Sequence, residues 1–286
     1  MCESALDDKE ITVSQGTNKI WNWISFFIFI ICGCIIFLVP AIVQSGIFKT
    51  IYIFVIPFVF LFISLIFKKK QKELQFQILF AFFISSIANT YVLFLETGST
   101  ITQIVLNIFL SSLFIVTICI VFSKLTKNSF ASLYISTGNL KSGLVIGGSA
   151  FLFMLLTSYW AAIGLFGAES FTFRDALRWA PWILAFIFLN AVREEIWFRG
   201  IFLKKYENFF GEDKSGKIKS NMLQALIFGV AHIQEFSVFT LIYFSVTLVL
   251  GFAFGLIMQK TNSIIGAILF HAGADIPVIL AVFSHL

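Results

Sequence analysis

The residues of this chain that could do chemistry are few, and they sit where charge is expensive. Arg193, Glu194, Glu195 and Arg199 lie together at the end of a mostly apolar run, Trp182 to Val192, and just ahead of another, Ile201 to Leu203. An ionised carboxylate in hydrocarbon costs ~2.5–3.5 kcal/mol on insertion scales, so it faces a polar cavity or a partner. Of three histidines, His232 and His271 fall within apolar helical patterns, whereas His285 is the penultimate residue. Phe228 and His232 are i,i+4 neighbours on one helix face; so are His271 and Asp275, and so are Glu195 and Arg199. Glu194 is turned ~100° from Glu195 on the same helix, so the two carboxylates address different surroundings.

Singly, each feature has an ordinary explanation. A lone histidine can be a satisfied hydrogen-bonding residue, Glu195 with Arg199 an interfacial ion pair, and His271 with Asp275 the glue between two helices. Jointly they suggest more. A carboxylate, two imidazoles and a second carboxylate, brought from three helices, can line a cavity that activates water. The carboxylate takes the proton, an imidazole shares it or orients the water, and a donor opposite stabilises an oxyanion. One such donor is worth ~2.7–4 kcal/mol in a known hydrolase. Two histidines and a carboxylate are also a zinc ligand set. Spacing does not separate these chemistries, because the ligands come from different helices.

The elements that must position these groups are membrane helices. Of 286 residues, 59% are hydrophobic, only 12% are charged, and 38 are Phe. A soluble surface needs roughly a quarter charged residues, so the fold class is an all-α polytopic transmembrane bundle. Candidate spans of about 20 apolar residues fall near 20–41, 50–67, 76–95, 101–122, 144–165, 179–193, 222–234, 237–258 and 264–283, which gives eight or nine helices. Those at 179–193 and 222–234 are short and carry the polar residues, as partial or tilted spans around a wet cavity would. With the tail 1–19 in the cytoplasm, only Lys49, Arg174 and Arg178 among the basic residues fall outside, a strong positive-inside bias. This predicts a multi-pass cell-membrane protein with Glu194 and Glu195 at the cytoplasmic end of their helix.

The stretch 204–221, rich in Lys, Gly, Asn and Ser, reads as a cytosolic loop. The break at 123–143 divides the chain into a tail (1–19), N-terminal helices without a recognised motif (20–143) and a motif-bearing part (144–286). The basic residues are spread among loops, which gives no reason to expect nucleic-acid binding. Cys2, Cys32, Cys34 and Cys119 read as small core residues. Gly251 and Gly255 form a small-xxx-small pattern for close helix packing. Trp21, Trp23, Trp179 and Trp182 read as interfacial anchors.

Glu194-Glu195-x-x-x-Arg199, Phe228-x-x-x-His232 and His271-x-x-x-Asp275, in this order, resemble the three motifs of the CPBP family of intramembrane proteases, which contains the CAAX prenyl endopeptidases and the bacterial Abi proteins. The local contexts EEIWFRGIFL, ALIFGVAH and TNSIIGAILFHA are similar too. The resemblance covers roughly residues 144–286. It implies an intramembrane endopeptidase in which Glu194 activates water with His232 as its partner. His271 and Asp275 would then bind the oxyanion or position the substrate carbonyl. Glu195 and Arg199 would support the helix end and the cavity mouth, and Phe228 would pack one turn before His232. Asp275 stands where the eukaryotic prenyl-protein enzymes have Asn, and an Asp donates no hydrogen bond unless protonated. The family's glutamate-and-water mechanism needs no metal and is the version favoured; a metal-dependent one would place zinc or another divalent ion on Glu194, His232 and His271. The partner implied is a peptide or membrane-tethered protein within the lipid bilayer. The rival functions are a non-catalytic Abi-type immunity or scaffold protein and, from another class, a proton-coupled transporter.

Overall fold

The computed structural model describes residues 19–42, 47–95, 98–233 and 238–286, so most of the predicted tail, with Cys2, lies outside it. Among the described residues ten α-helices follow one another: α1 (Lys19–Ile42), α2 (Ile47–Lys69), α3 (Glu73–Phe94), α4 (Ile101–Leu125), α5 (Leu140–Phe166), α6 (Phe173–Glu194), α7 (Leu203–Phe210), α8 (Lys214–Ala231), α9 (Val238–Thr261) and α10 (Ile265–Ser284). A 3-10 turn, Phe130–Leu133, lies between α4 and α5, and a π-turn, Glu195–Gly200, joins α6 to α7. No strand occurs among the described residues. Eight of these helical runs are long and apolar enough to cross a membrane, and the protein is a multi-pass membrane protein. Phe62, Phe153, Leu156 and Trp160 point outward, as side chains facing lipid do.

Two sequence expectations change. The short span 179–193 belongs to a continuous run, Phe173–Phe210, of 38 residues. Its start is set by a capping box, in which Thr172 Oγ1 accepts from the Asp175 amide and Asp175 Oδ2 accepts from the Thr172 amide. The polar stretch 204–221 is not a loop: it holds most of α7 and the first turns of α8. Leu203, Tyr206 and Phe210 recur at helical spacing and are buried, with Tyr206 stacked on Phe29 and Phe202. That apolar stripe overrides the loop-like composition. Asp213 caps α8 through the Gly216 amide, so α8 begins well before the expected residue 222 and is not among the eight crossing runs.

One end of the bundle is basic and tightly stitched. Asn139 N donates to Thr261 O, Ile264 N to Tyr134 O, and Ser263 Oγ to Ser136 O, at 2.7–2.9 Å. Buried Glu207 of α7 accepts from Tyr134 Oη and from Gln259 of α9, both at 2.8 Å. Asn128 reaches Gln77 at the start of α3. Lys68, Lys124, Lys127, Lys204 and Lys217 therefore gather on this end. The α1–α4 helices share one apolar core with the π-turn, α7 and α8: Phe37, Phe82, Phe122, Trp197, Phe202 and Phe228 are all members of it.

The position of α10 is set by α5, which lies parallel along it. Gly143 and Gly147 face Gly266, and a Cβ added to Gly147 would run into the Gly266 backbone. On its other side α10 meets α6 in antiparallel fashion, bringing Asn190 opposite Asp275. The hairpin of α8 and α9 is fastened by Asn221 to Phe252 O and by Gln224 to Gly251 O. These three docking events bring the polar residues of α6, α8 and α10 to one place.

Candidate active site

The end of α6 explains how adjacent carboxylates come to serve different partners. At the π-turn the hydrogen-bond pattern lengthens, with Ile201 N donating to Ile196 O at 3.1 Å. Glu194 closes the regular helix, and Glu195 opens the widened turn. Arg199, also in that turn, reaches back to Glu195 at 2.8 Å, with both side chains fully buried. The guanidinium lies 4.0 Å from the Phe228 ring centroid and 5.2 Å from that of Phe254, so two aromatic faces complete its surroundings.

Glu195 Oε1 is shared. It also meets His271 Nδ1 at 2.6 Å. That bond places the proton on Nδ1 in the tautomer the network sets, and turns Nε2 toward Glu194 Oε2 at 3.6 Å and Asp275 Oδ1 at 3.6 Å. The Phe254 ring stacks on the imidazole, 4.8 Å between centroids and 14° from parallel. His232, at the C-terminal end of α8, is fixed the same way. Its Nδ1 donates to Phe228 O at 2.7 Å, and its Nε2 faces Glu194 Oε2 at 3.8 Å.

Glu194 thus has two unlike oxygens. Oε1 accepts from Arg193 Nη2 at 2.7 Å. Oε2 has no hydrogen-bond partner among the described residues and looks at the two Nε2 atoms. Separations of 3.6–3.8 Å are too long for direct hydrogen bonds, and a water bonded to both groups would bridge them from one side. Arg193 is itself tethered by Ser111 Oγ of α4 at 2.9 Å and by Asn190 Oδ1. Asn190 Nδ2 in turn donates to Asp275 Oδ2 at 2.9 Å.

The structure brings together Glu194, His232, His271 and Asp275, with Glu195, Arg199 and Phe228 beside them. Their placement differs from expectation in one respect. Glu195 and Arg199 are fully buried, not at a cavity mouth. With Phe228 and Phe254 they fill the space between the cluster and the basic end, while His232 and Asp275 are its partly open members. His271 lies about 10 Å along α10 from Ile264, at 1.5 Å per residue, so the cluster is set inward from that end.

Several residues of the cluster escaped the sequence reading. Arg193 stands among the charges singled out at the start, but with no role attached; Asn190 does not, and its only signal is a position four residues before Glu194, on the same helix face. Ser111 had none, being an ordinary serine in a helix without a motif. Phe254 sits inside the Gly251–Gly255 pattern. A Cβ on Gly251 would come within 2.8 Å of the Phe228 ring and 3.0 Å of Arg199 Nη2, so this glycine makes room for the site. Among the described residues, no group of three or more His, Cys, Asp or Glu converges with metal-holding geometry.

Residues 176–277 match the family described as type II CAAX prenyl endopeptidase Rce1-like. The CPBP resemblance stands. The match spans every motif residue from Glu194 to Asp275 and is narrower at both ends than the 144–286 expected. The matched family is described as one of endopeptidases. No curated protein and no solved structure matches the chain.

Proposed function

We propose that this protein is an intramembrane endopeptidase that hydrolyses a peptide bond with water activated by Glu194. The observation that supports it is the free Oε2 of Glu194, facing two imidazole Nε2 atoms at 3.6 and 3.8 Å while Oε1 is held by Arg193. Water placed among these atoms gives one proton to Glu194 Oε2 and directs the other to His232 Nε2. Its oxygen attacks the substrate carbonyl carbon, and the C=O π pair moves onto oxygen. The tetrahedral intermediate then collapses: the C–N bond breaks, its electron pair goes to nitrogen, and the proton on Glu194 passes to the leaving amine. The products are a carboxylic acid and an amine, and the carboxylate is regenerated.

His271 is held by Glu195 and flanked by Phe254, so its Nε2 keeps a fixed place beside Glu194 and Asp275. Arg199 neutralises Glu195 behind it. Such fixed charges cost no reorganisation at the moment of reaction. The concentration of lysines on one end supports a cytoplasmic placement of that end, with the cluster about 10 Å inside it. The substrate is a peptide or a membrane-tethered protein whose scissile bond enters the helical bundle.

The test is a cleavage screen with quenched peptides and the purified protein in liposomes, with and without chelator, against Glu194→Gln. That substitution keeps the shape and the bond to Arg193 but cannot accept the water proton as a carboxylate does, and should abolish cleavage. Cleavage by Glu194→Gln at the wild-type rate would end the proposal. Loss of wild-type cleavage on chelation, restored by zinc, would replace the water-and-glutamate scheme with a metal-dependent one.

A further inference from the structure

We propose that Asn190 is a catalytic residue, whose side-chain amide donates the hydrogen bond that holds the oxyanion. This rests on the hydrolase reading above. A hydrolytic site needs a donor where negative charge develops; Arg199 Nε and Nη2 have no partner among the described residues, but that guanidinium lies behind Glu195, against Phe228 and Gly251. Glu194, Glu195 and Asp275 accept. Each imidazole spends its Nδ1 proton away from the centre, His232 on Phe228 O and His271 on Glu195, and turns a bare Nε2 inward. The Arg193 guanidinium lies on the Oε1 side of Glu194, bound to Glu194, Asn190 and Ser111, away from the free Oε2.

Asn190 supplies a donor. It is buried, one helical turn before Glu194 on the same face of α6. The orientation of its amide follows from its neighbours. Oδ1 accepts from the Arg193 cation and Nδ2 donates to the Asp275 carboxylate; the flipped amide would set oxygen against carboxylate and NH2 against guanidinium. An amide nitrogen carries two protons. One is spent on Asp275 Oδ2, and the other has no acceptor among the described residues. It belongs to a nitrogen bonded to Asp275, whose second oxygen lies 3.6 Å from His271 Nε2, itself 3.6 Å from Glu194 Oε2. Asp275 thereby acquires a role that suits an acceptor: it polarises and aims the amide of Asn190, and is a positioning residue.

The experiment uses the full-length protein in liposomes and a quenched peptide that the wild type cuts. Asn190→Ala should lower kcat by about 10²–10³-fold, the cost of one oxyanion donor, with KM changed less than about threefold. Asp275→Asn alone leaves the amide in place and should keep at least about a tenth of the activity. The decisive variant is the exchange Asn190→Asp with Asp275→Asn, which moves the donor to α10 and the carboxylate to α6. It should recover at least tenfold over Asn190→Asp alone, in protein whose thermal unfolding matches the wild type. If the exchange is as inactive as Asn190→Asp, and Asp275→Asn is dead too, the carboxylate at 275 is itself required and the inference is overturned. Full activity in Asn190→Ala, where Glu194→Gln is inactive, removes Asn190 and leaves the hydrolase reading intact. Cleavage by Glu194→Gln at the wild-type rate removes both.

Discussion

Replacing Arg199 with Met should be among the most damaging single changes in the protein. The guanidinium and its partner Glu195 are both fully buried, 2.8 Å apart, and the cation lies over two aromatic rings. Removing one member of a buried ion pair costs ~3–5 kcal/mol, because the other charge is left without compensation. The two desolvated cation–π contacts add about 2 kcal/mol or more, and the apolar Met stem returns ~1–2 kcal/mol of packing. The net loss is ~3–6 kcal/mol, or about two to four and a half powers of ten in the folded-to-unfolded ratio. Here the orphaned charge retains one neighbour, the His271 Nδ1–H, so the loss should fall in that range rather than beyond it. The assay is reversible unfolding in mixed dodecylmaltoside–SDS micelles, followed by tryptophan fluorescence. Glu195→Gln should restore about half the loss when added to Arg199→Met, since the uncompensated charge disappears, yet cleavage should stay low because His271 loses its carboxylate. Wild-type stability in Arg199→Met, or strict additivity of the two substitutions, would refute the reasoning.

Two glycines make a matched pair. Gly251→Ala pushes a methyl against the Phe228 ring and Arg199, and should cost ~1–3 kcal/mol as overpacking. Gly148→Ala meets nothing within 4 Å in the middle of α5 and should gain ~0.5–1 kcal/mol; thermal unfolding of both decides. The Tyr134 phenol, at the basic end, is pushed above its ordinary value of 10.0 by burial and then by the Glu207 carboxylate it bonds. Its contribution to stability is complete below pH 10, where folded and unfolded forms are both protonated, and is lost as pH rises above that, since the unfolded phenol ionises first. Tyr134→Phe should make the alkaline loss of stability shallower, measured as unfolding midpoint between neutral pH and pH 11.

The motif residues were legible because lipid makes charge conspicuous. A carboxylate, an imidazole or a guanidinium in a run of Phe, Ile and Leu has few reasons to be there, and i,i+4 spacing tells which of them share a face. The fold class followed from composition for the same reason. Less was legible wherever the cause lay in tertiary packing. The π-turn at Glu195–Gly200 has no sequence signature, since any residue can accept the longer bond; only the packed neighbours of Trp197 and Phe198 select it. The helix α7 hid in a polar stretch because its apolar stripe is short and flanked by Lys and Glu. Ser111 was invisible because its importance is conferred by Arg193, 82 positions away.

The widened turn after Glu194 has a consequence for anyone wishing to transplant this arrangement. An ideal rod carrying the same letters would swing everything beyond it by ~100° relative to what the bulge permits. Grafting Glu194, Glu195 and Arg199 onto a straight designed span would therefore aim the guanidinium away from Phe228 and Phe254. A scaffold for this chemistry must import the irregularity along with the side chains, together with aromatic neighbours bulky enough to hold it open.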